Sequence, residues 1–451
     1  MLTTIESKAP PHWAIIGGGM LGLTLAHRLS QAGQRVTVLE AAPSLGGLVS
    51  AWQVGEVVWD RYYHVIMQTD ARLRGLLQEL GLESEIRWGV TRTNFYTGSA
   101  MHPLNNAIDY LRLPVLGPID KARLAATILY ASRIEDGRRL EKVSAEVWLT
   151  RLSGRTTYQN LWRPLLRSKL GSNHTKASAA YIWSVIRRFY GARQGGLQTE
   201  MFGYVPDGYR RVLAALAERL RAAGVTMEAG MPVTAVAAAG DGLDVTAGGI
   251  TRRFNRVINT CAGPIATSVC EGLSRVERRQ HDAITYQGIV CASLLLDRPL
   301  GGAYLTYITD ETIPFTTVIE MSSLIDRAQI GGKHLVYLPK YLPPDDPLLG
   351  ATDQQIEAAF LPALLRMFPG LSRDNITAFK VTRTRHVLAI STLGYSDNLP
   401  PIATSLPGLY IVNSAQIVNG SLSVDETVNL ANQAAASLMA IEAAPARTPA
   451  P

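Results

Sequence analysis

The chain has 451 residues, of which 47% are hydrophobic and 18% are charged, and its formal net charge is +7. That length is too great for one hydrophobic core, so we expect two domains, and the composition is that of a globular protein rather than a disordered one. The positive charge is spread along the chain without a nucleic-acid-binding motif, which excludes nucleic acid as the expected partner and fits anionic substrates or peripheral membrane contact.

The first predicted element is a short apolar strand, Ala14–Ile16, followed by glycines at positions 17, 19 and 22. A helical run, Leu23–Gln31, comes next, and a second strand, Arg35–Leu39, ends at Glu40. Strand, glycine turn, helix, strand and acid in this order are typical of a dinucleotide-binding βαβ unit. We expect the turn to approach a pyrophosphate and the acid to bind ribose hydroxyls. The predicted cofactor contacts of this unit are Gly17, Gly18, Gly19, Met20, Gly22, Glu40 and Ala41.

A second glycine pair, Gly46 and Gly47, follows shortly after. This arrangement resembles the FAD-dependent amine oxidases, protoporphyrinogen oxidases and carotenoid desaturases, in which an arginine often follows the pair; here Leu48 stands in that place. The resemblance implies non-covalently bound FAD and an α/β fold: a Rossmann-like FAD-binding domain of the glutathione-reductase type with an inserted α+β substrate domain. It also implies cofactor contacts from Gly46, Gly47, Leu48, Val233, Asn413, Ser414 and Val424.

The same resemblance predicts a cofactor domain in three pieces, residues 1–100, 200–282 and 385–443, with a substrate domain in residues 101–199 and 283–384 and a disordered tail over 444–451. The first insertion is predicted to be helical, and the second is predicted to be strand-rich before a helix, Asp353–Met367. The helices predicted in the first insertion are Lys121–Arg133, Ser144–Leu152, Tyr158–Lys169 and Ala177–Tyr190. The strands predicted in the second are Ile289–Asp297, Ala303–Thr309, Pro314–Glu320 and His334–Pro339.

Two residues are candidates for a catalytic role. His64 lies in the aromatic segment Trp59–Val65, which the resemblance places near the isoalloxazine ring, and UDP-galactopyranose mutases, which share the fold, carry a histidine in a comparable setting. A neutral imidazole there would hydrogen-bond or tune the flavin, whereas a packing histidine is the alternative. Tyr395 resembles an aromatic residue that faces the flavin. Many amine oxidases also place a lysine on a strand near the flavin, but Tyr286–Leu294 contains none.

The first insertion is rich in arginine, and Arg163 and Arg167 share a helix face because they are four residues apart. The run Leu161–Lys169 is predicted either to bind a carboxylate, a diphosphate or lipid headgroups, or to form a solvated helix face.

The leading hypothesis is an FAD-dependent oxidoreductase that moves a hydride equivalent from a C–N or C–C bond of a small organic substrate to flavin N5. Two alternatives stay open: a redox-neutral flavoenzyme resembling UDP-galactopyranose mutase, and a catalytically degenerate flavin-binding protein. The substrate is expected to be anionic or apolar, and no metal is expected, since the three cysteines lack metal-ligand spacing. No signal peptide or spanning segment is expected, which predicts a cytoplasmic protein with peripheral membrane contact left open; the oligomeric state is not predicted.

Overall fold

The computed structural model describes residues 10–98, 100–105, 107–191, 201–418 and 420–443. The strands, in chain order, are β1 (His12–Ile16), β2 (Arg35–Glu40), β3 (Ala51–Val54), β4 (Val57–Asp60), β5 (Arg87–Val90), β6 (Thr93–Tyr96), β7 (Met101–Pro103), β8 (Met201–Tyr204), β9 (Thr226–Ala229), β10 (Val233–Ala239), β11 (Gly242–Ala247), β12 (Ile250–Phe254), β13 (Arg256–Asn259), β14 (Tyr286–Leu296), β15 (Leu305–Ile308), β16 (Thr317–Glu320), β17 (His334–Leu342), β18 (Ile376–Ala389) and β19 (Leu409–Ile411). The α-helices are α1 (Met20–Gln31), α2 (Ala71–Glu79), α3 (Ala107–Arg112), α4 (Pro118–Ser132), α5 (Ala145–Ser153), α6 (Arg155–Thr157), α7 (Arg163–Leu170), α8 (Ala179–Gly191), α9 (Tyr209–Ala222), α10 (Gly263–Val269), α11 (Arg275–Asp282), α12 (Asp353–Met367), α13 (Tyr395–Asn398) and α14 (Val424–Ala443).

The first sheet is parallel and five-stranded, with the order β19-β13-β1-β2-β9. Its central strand is buried on both faces, as continuous apolar runs in parallel sheets usually are, and Ile15 pairs with Val38 on one side and Ile258 on the other. Helices α1, α9 and α14 pack into the same hydrophobic cluster. Since parallel strands end at one edge of a sheet, β1 delivers the glycine turn and β2 delivers Glu40 to the same place.

The second sheet has seven strands in the order β18-β14-β17-β16-β15-β6-β7. Its long strand β14 is buried throughout, and its alternate side chains enter two different clusters. Val290 and Leu294 pack with Phe360 of α12, whereas Cys291 on the opposite face packs with Tyr62. One face of this sheet therefore carries its own helix, and the other faces the aromatic segment that contains His64.

Helices α4, α5, α7 and α8 pack around a third cluster that includes Trp148, Trp162 and Trp183. The predicted single helix Tyr158–Lys169 is wrong in its first turns, because Tyr158–Trp162 is a π-helix and α7 begins only at Arg163. Pro164 explains this break, since it has no N–H to donate to the carbonyl four residues earlier.

Two strands of the second sheet lie near the predicted domain boundaries. β6 lies before residue 100 yet pairs with β15 in the second sheet, and β18, which the sequence analysis did not predict, runs through residue 385. β18 is half-buried at most of its positions and carries basic side chains, so it lacks the apolar run by which β14 was recognised. The boundaries at 100 and 385, like the division into two domains, remain predictions. The predicted tail, 444–451, lies outside the described residues.

Within the described ranges, no helix combines the length and the apolar character that crossing a membrane requires. The same part of the chain contains no group of three or more His, Cys, Asp or Glu residues arranged to hold a metal ion.

Candidate cofactor and substrate site

Two glycines of the first turn are required by the packing of the chain itself. Gly17 has a φ of +106°, and an added Cβ there would lie 2.4 Å from Thr260 Oγ1. An added Cβ at Gly22 would lie 1.9 Å from the carbonyl oxygen of Gly17. Both residues must be glycine for β1 and α1 to pack as they do, whatever the turn binds.

Gly19 is different, because nothing within the described chain requires a glycine there. Its φ of −76° and ψ of 179° are ordinary extended backbone. An added Cβ would meet no atom nearer than Gly47 Cα, at 3.9 Å. Gly19 is the N-cap of α1, and this helix has neither a side-chain cap nor an acidic residue in its first turn. The turn thus offers open space beside an uncapped helix N-terminus, the arrangement that suits a phosphate.

The second glycine pair closes against the first turn. Gly46 N donates to Gly18 O at 2.8 Å, and an added Cβ at Gly47 would lie 3.2 Å from Gly19 Cα. Gly46 and Gly47 have φ angles of +121° and +55°, so both use the conformational freedom of glycine. We call residues 17–19 and 46–47 the glycine cradle.

Glu40 stands beside this cradle at the end of β2. Its carboxylate accepts hydrogen bonds from Gly18 N at 2.6 Å and from Ala42 N at 2.8 Å. A carboxylate offers about four acceptor positions, so both oxygens keep capacity for ribose hydroxyls. Ala41 is exposed next to it, whereas Met20 is buried and only 5% exposed, which leaves only its backbone for a cofactor.

Three predicted contacts are apolar residues at the margins of hydrophobic clusters. Leu48 packs against the cluster that includes Trp59 and Tyr62. Because residue 48 is a leucine, it offers no positive charge next to the second glycine pair. Val233 is half-buried at the first position of β10, and Val424 is buried at the first position of α14. Only their backbone or an apolar surface can meet a cofactor.

Asn413 is buried and serves the backbone around it. Its side chain donates to Cys261 O at 3.0 Å and accepts from Ala415 N at 3.0 Å, which ties the end of β19 to the chain that follows β13. The following residue, Ser414, is half-buried and lines a cavity instead. Of this pair, Ser414 is therefore the better placed side chain for a bound group.

That second cavity, of about 290 Å³, also contains the predicted residue Tyr395, so the structure brings Tyr395 and Ser414 together. The Tyr395 hydroxyl donates to Ala415 O at 2.8 Å, and burial raises the pKa of the phenol. The hydroxyl is thus committed to the backbone, and Tyr395 offers the cavity its ring rather than a free acid. Tyr181 of α8 forms part of the same wall.

His64 lines a separate cavity of about 270 Å³ with Asp60 and Tyr209. Its Nδ1 lies 3.1 Å from the carbonyl oxygen of Tyr62, and since a carbonyl only accepts, we assign the ring hydrogen to Nδ1. Burial lowers the pKa of His64 to about 4, so the ring is neutral at physiological pH and its Nε2 is an acceptor. His64 and Tyr395 line different cavities.

Asp60 is the unexpected member of the His64 cavity. Burial raises the pKa of its carboxyl group to about 8, although Tyr209 N donates to its Oδ1 at 2.9 Å. The hydroxyl of Tyr209 is buried without a partner among the described residues. The sequence analysis missed Asp60, because a lone acid at the end of a short strand carries no recognisable spacing.

A third group, which we call the lysine–tyrosine cluster, consists of Lys169, Tyr63 and Tyr341. Lys169 Nζ lies 3.0 Å from Tyr63 Oη and 3.2 Å from Tyr341 Oη, and the two hydroxyls are 2.8 Å apart. All three residues are half-buried. Lys169 is close enough to His64 for its charge to lower the pKa of that ring, in addition to the effect of burial. Its charge also lowers the pKa of the Cys291 thiol, which burial raises, so the cluster lies near both His64 and β14.

The predicted arginine face of α7 does not lead into this site. Arg163 and Arg167 both pair with Glu311, the first at 3.3 Å. Lys169 follows Arg167 by two positions, which turns it about 200° around the helix and away from that face. Lys169 therefore belongs to the predicted anion-binding run Leu161–Lys169, but it lies on a different helix face from Arg163 and Arg167.

Packing contacts connect the cradle with both cavities. An added Cβ at Gly46 would lie 2.5 Å from Leu213, whose neighbour Val212 lines the His64 cavity. On the other side, Thr260, which abuts Gly17, belongs to the chain that Asn413 ties to Ser414 and the Tyr395 cavity. These contacts place the glycine cradle beside the chain segments that line both cavities.

Comparison with known proteins identifies the family. The model of the flavin-containing amine oxidoreductases matches residues 21–439. The chain belongs to this family. Among curated proteins, protoporphyrinogen oxidase 2 of Arabidopsis thaliana is 23% identical over 207 residues, which cover 44% of this chain and 40% of that protein, so the match spans well under two thirds of the relative.

Solved structures show the same fold over nearly the whole length of this flavin-containing amine oxidoreductase. A redesigned variant of putrescine oxidase has a TM-score of 0.74 at 18% identity and covers 96% of this chain and 99% of its own. Reduced UDP-galactopyranose mutase has a TM-score of 0.70 at 14% identity, covering 96% of this chain and 94% of its own. These results confirm the predicted α/β fold with a Rossmann-like cofactor domain.

Proposed function

We propose that this protein is an FAD-dependent oxidoreductase that removes a hydride equivalent from a C–N or C–C bond of a small organic substrate. The observation that carries the proposal is Gly19, which is a glycine without an internal steric reason and which faces open space at an uncapped helix N-terminus. A pyrophosphate needs that close approach to the backbone. Glu40, with oxygens left for ribose hydroxyls, supports the dinucleotide form of the flavin over the mononucleotide.

In this proposal the glycine cradle holds the pyrophosphate non-covalently, Glu40 holds the ribose, and His64 and Ser414 approach the flavin end from the two cavities. When bound, FAD would supply the electron-accepting chemistry at N5, which no side chain can provide. The protein would orient the substrate and exclude water, because buried aromatic side chains surround the site and hold the donor carbon in place. The neutral His64 ring has Nε2 available to accept a hydrogen bond and adds no charge to the site.

The direct test is the visible absorbance spectrum of the purified protein, followed by release of its cofactor and separation of FAD from FMN. Retained FAD supports the proposal, and a colourless protein that does not take up FAD contradicts it. Oxidation is then tested by flavin bleaching under anaerobic conditions with panels of amines and of carbon acids. Turnover that requires dithionite-reduced flavin and proceeds without net electron transfer would instead support the redox-neutral alternative.

A further inference from the structure

Counting hydrogens in the lysine–tyrosine cluster shows an excess of donors. The Lys169 ammonium has three N–H groups, and two of them point to Tyr63 Oη and Tyr341 Oη. The two phenols share one O–H between them at 2.8 Å. Burial raises the pKa of Tyr63, so the phenol keeps its proton. One ammonium N–H and one phenolic O–H therefore remain, and the described residues supply no acceptor for either.

The charge of Lys169 is equally uncompensated. No carboxylate in the described part of the chain forms a salt bridge with it, although Arg163 and Arg167 on the same helix share Glu311. Instead, the ammonium lies over the rings of Tyr63 and Tyr341, 5.2 and 4.7 Å from their centroids. A half-buried cation held by neutral partners alone attracts an anion more strongly than one at the surface does.

The cluster also has the right position for a substrate-binding role. Tyr63 directly precedes His64, and Tyr341 lies on β17 beside β14. Burial, and after it the neighbouring Tyr341, raises the pKa of Tyr181, which lines the Tyr395 cavity. The cluster therefore adjoins one lining residue of each cavity, His64 of the first and Tyr181 of the second.

We propose that Lys169, Tyr63 and Tyr341 bind the carboxylate group of the substrate, which makes the substrate an organic carboxylic acid. This inference rests on the proposed function, because it names the substrate class of that same site. One ammonium N–H and one phenolic O–H match the two oxygens of a carboxylate. A phosphate, with its second charge, would find only a single cation here.

The test is calorimetric titration of the holoprotein with benzoate and with its neutral analogue benzamide. Benzoate should bind wild-type protein, and Lys169→Met should weaken this binding at least about tenfold, since a charge-assisted hydrogen bond is lost. Benzamide affinity should change less than about twofold. Lys169→Arg should retain most benzoate binding, which separates loss of charge from loss of fold. Lys340→Met, one residue from Tyr341 on the opposite face of β17, is the matched control and should bind normally.

Equal benzoate affinity in the wild type and Lys169→Met, absence of benzoate binding to the wild type, or tighter binding of phenyl phosphate than of benzoate would overturn the proposal. Absorbance spectra of the same samples distinguish this failure from failure of the proposed function. Yellow protein without Lys169-dependent benzoate binding removes only the carboxylate site. Colourless protein that still binds benzoate through Lys169 removes the flavin role and leaves the anion site standing.

Discussion

At the scale of single residues, the three glycines of the G-x-G-x-x-G turn have different reasons to be glycine. Gly17 and Gly22 avoid collisions inside the chain, at 2.4 and 1.9 Å, whereas Gly19 avoids none. A glycine lowers the free energy of unfolding, because it gives up more conformational freedom on folding than any other residue. A glycine with no internal role, at the turn before α1, is best explained by a molecule that comes close to its backbone.

This contrast predicts that Gly19→Ala and Gly22→Ala fail in different ways. The flavin-free form of Gly19→Ala should have a free energy of unfolding within about 0.5 kcal/mol of the flavin-free wild type. As purified, the variant should lose most of its flavin, because the new methyl group occupies the pyrophosphate space. Gly22→Ala should destabilise the fold by about 2 kcal/mol or more through overpacking. Urea denaturation and the flavin-to-protein absorbance ratio measure the two effects. Gly301→Ala, where an added Cβ meets nothing within 4 Å, is the control. Full flavin retention by Gly19→Ala would contradict the assignment.

At the scale of elements, the sequence predicted best where one local pattern decides the outcome. The βαβ unit of β1, α1 and β2 was predictable because its glycines, apolar runs and acid all lie within about 30 residues, as such units do. Helix α7 was predicted only in part, because Pro164 makes it begin later than expected. The arginine spacing also indicated the face that pairs with Glu311 and not the face of Lys169. Strand β18 was missed because its basic and hydroxyl side chains interrupt the apolar pattern.

The junction between β13 and β19 allows a prediction at this scale, because its two neighbouring polar residues have separate tasks. Asn413→Ala removes two buried hydrogen bonds and should lower the free energy of unfolding by about 1–3 kcal/mol. Ser414→Ala should leave the stability of the flavin-free protein nearly unchanged and weaken FAD retention or shift the flavin absorbance spectrum, since Ser414 faces the cavity. Denaturation midpoints and visible spectra of both variants test this division. Equal effects of the two variants on stability would contradict it.

At the scale of the whole molecule, the site is assembled from parts of the chain that no spacing connects. Tyr63 and Lys169 are 106 positions apart, and Lys169 and Tyr341 are 172 apart. Sequence patterns locate elements, but only the packing of the two sheets and the helical insertion brings these three side chains together. For the same reason the sequence indicated that the glycine turn and Glu40 lie together, but it did not indicate the lysine–tyrosine cluster.

Asp60 connects α9 with β17. Its carboxyl group accepts a hydrogen bond from the first residue of α9, and its backbone carbonyl accepts one from Tyr337 of β17. Burial raises its pKa from 3.8 to about 8, so the folded protein holds a proton that the unfolded chain releases above pH 4. This contribution to stability is complete below the unfolded pKa and is lost as pH rises through the folded value. Because Asp60→Asn does not titrate, its stability relative to wild type should increase between pH 5 and pH 8, by at most about 1.4 kcal/mol per pH unit. Urea midpoints across that range test this, with Asp345→Asn at an exposed site as the control. A difference between Asp60→Asn and wild type that stays constant with pH would show that Asp60 is ionised in the folded protein.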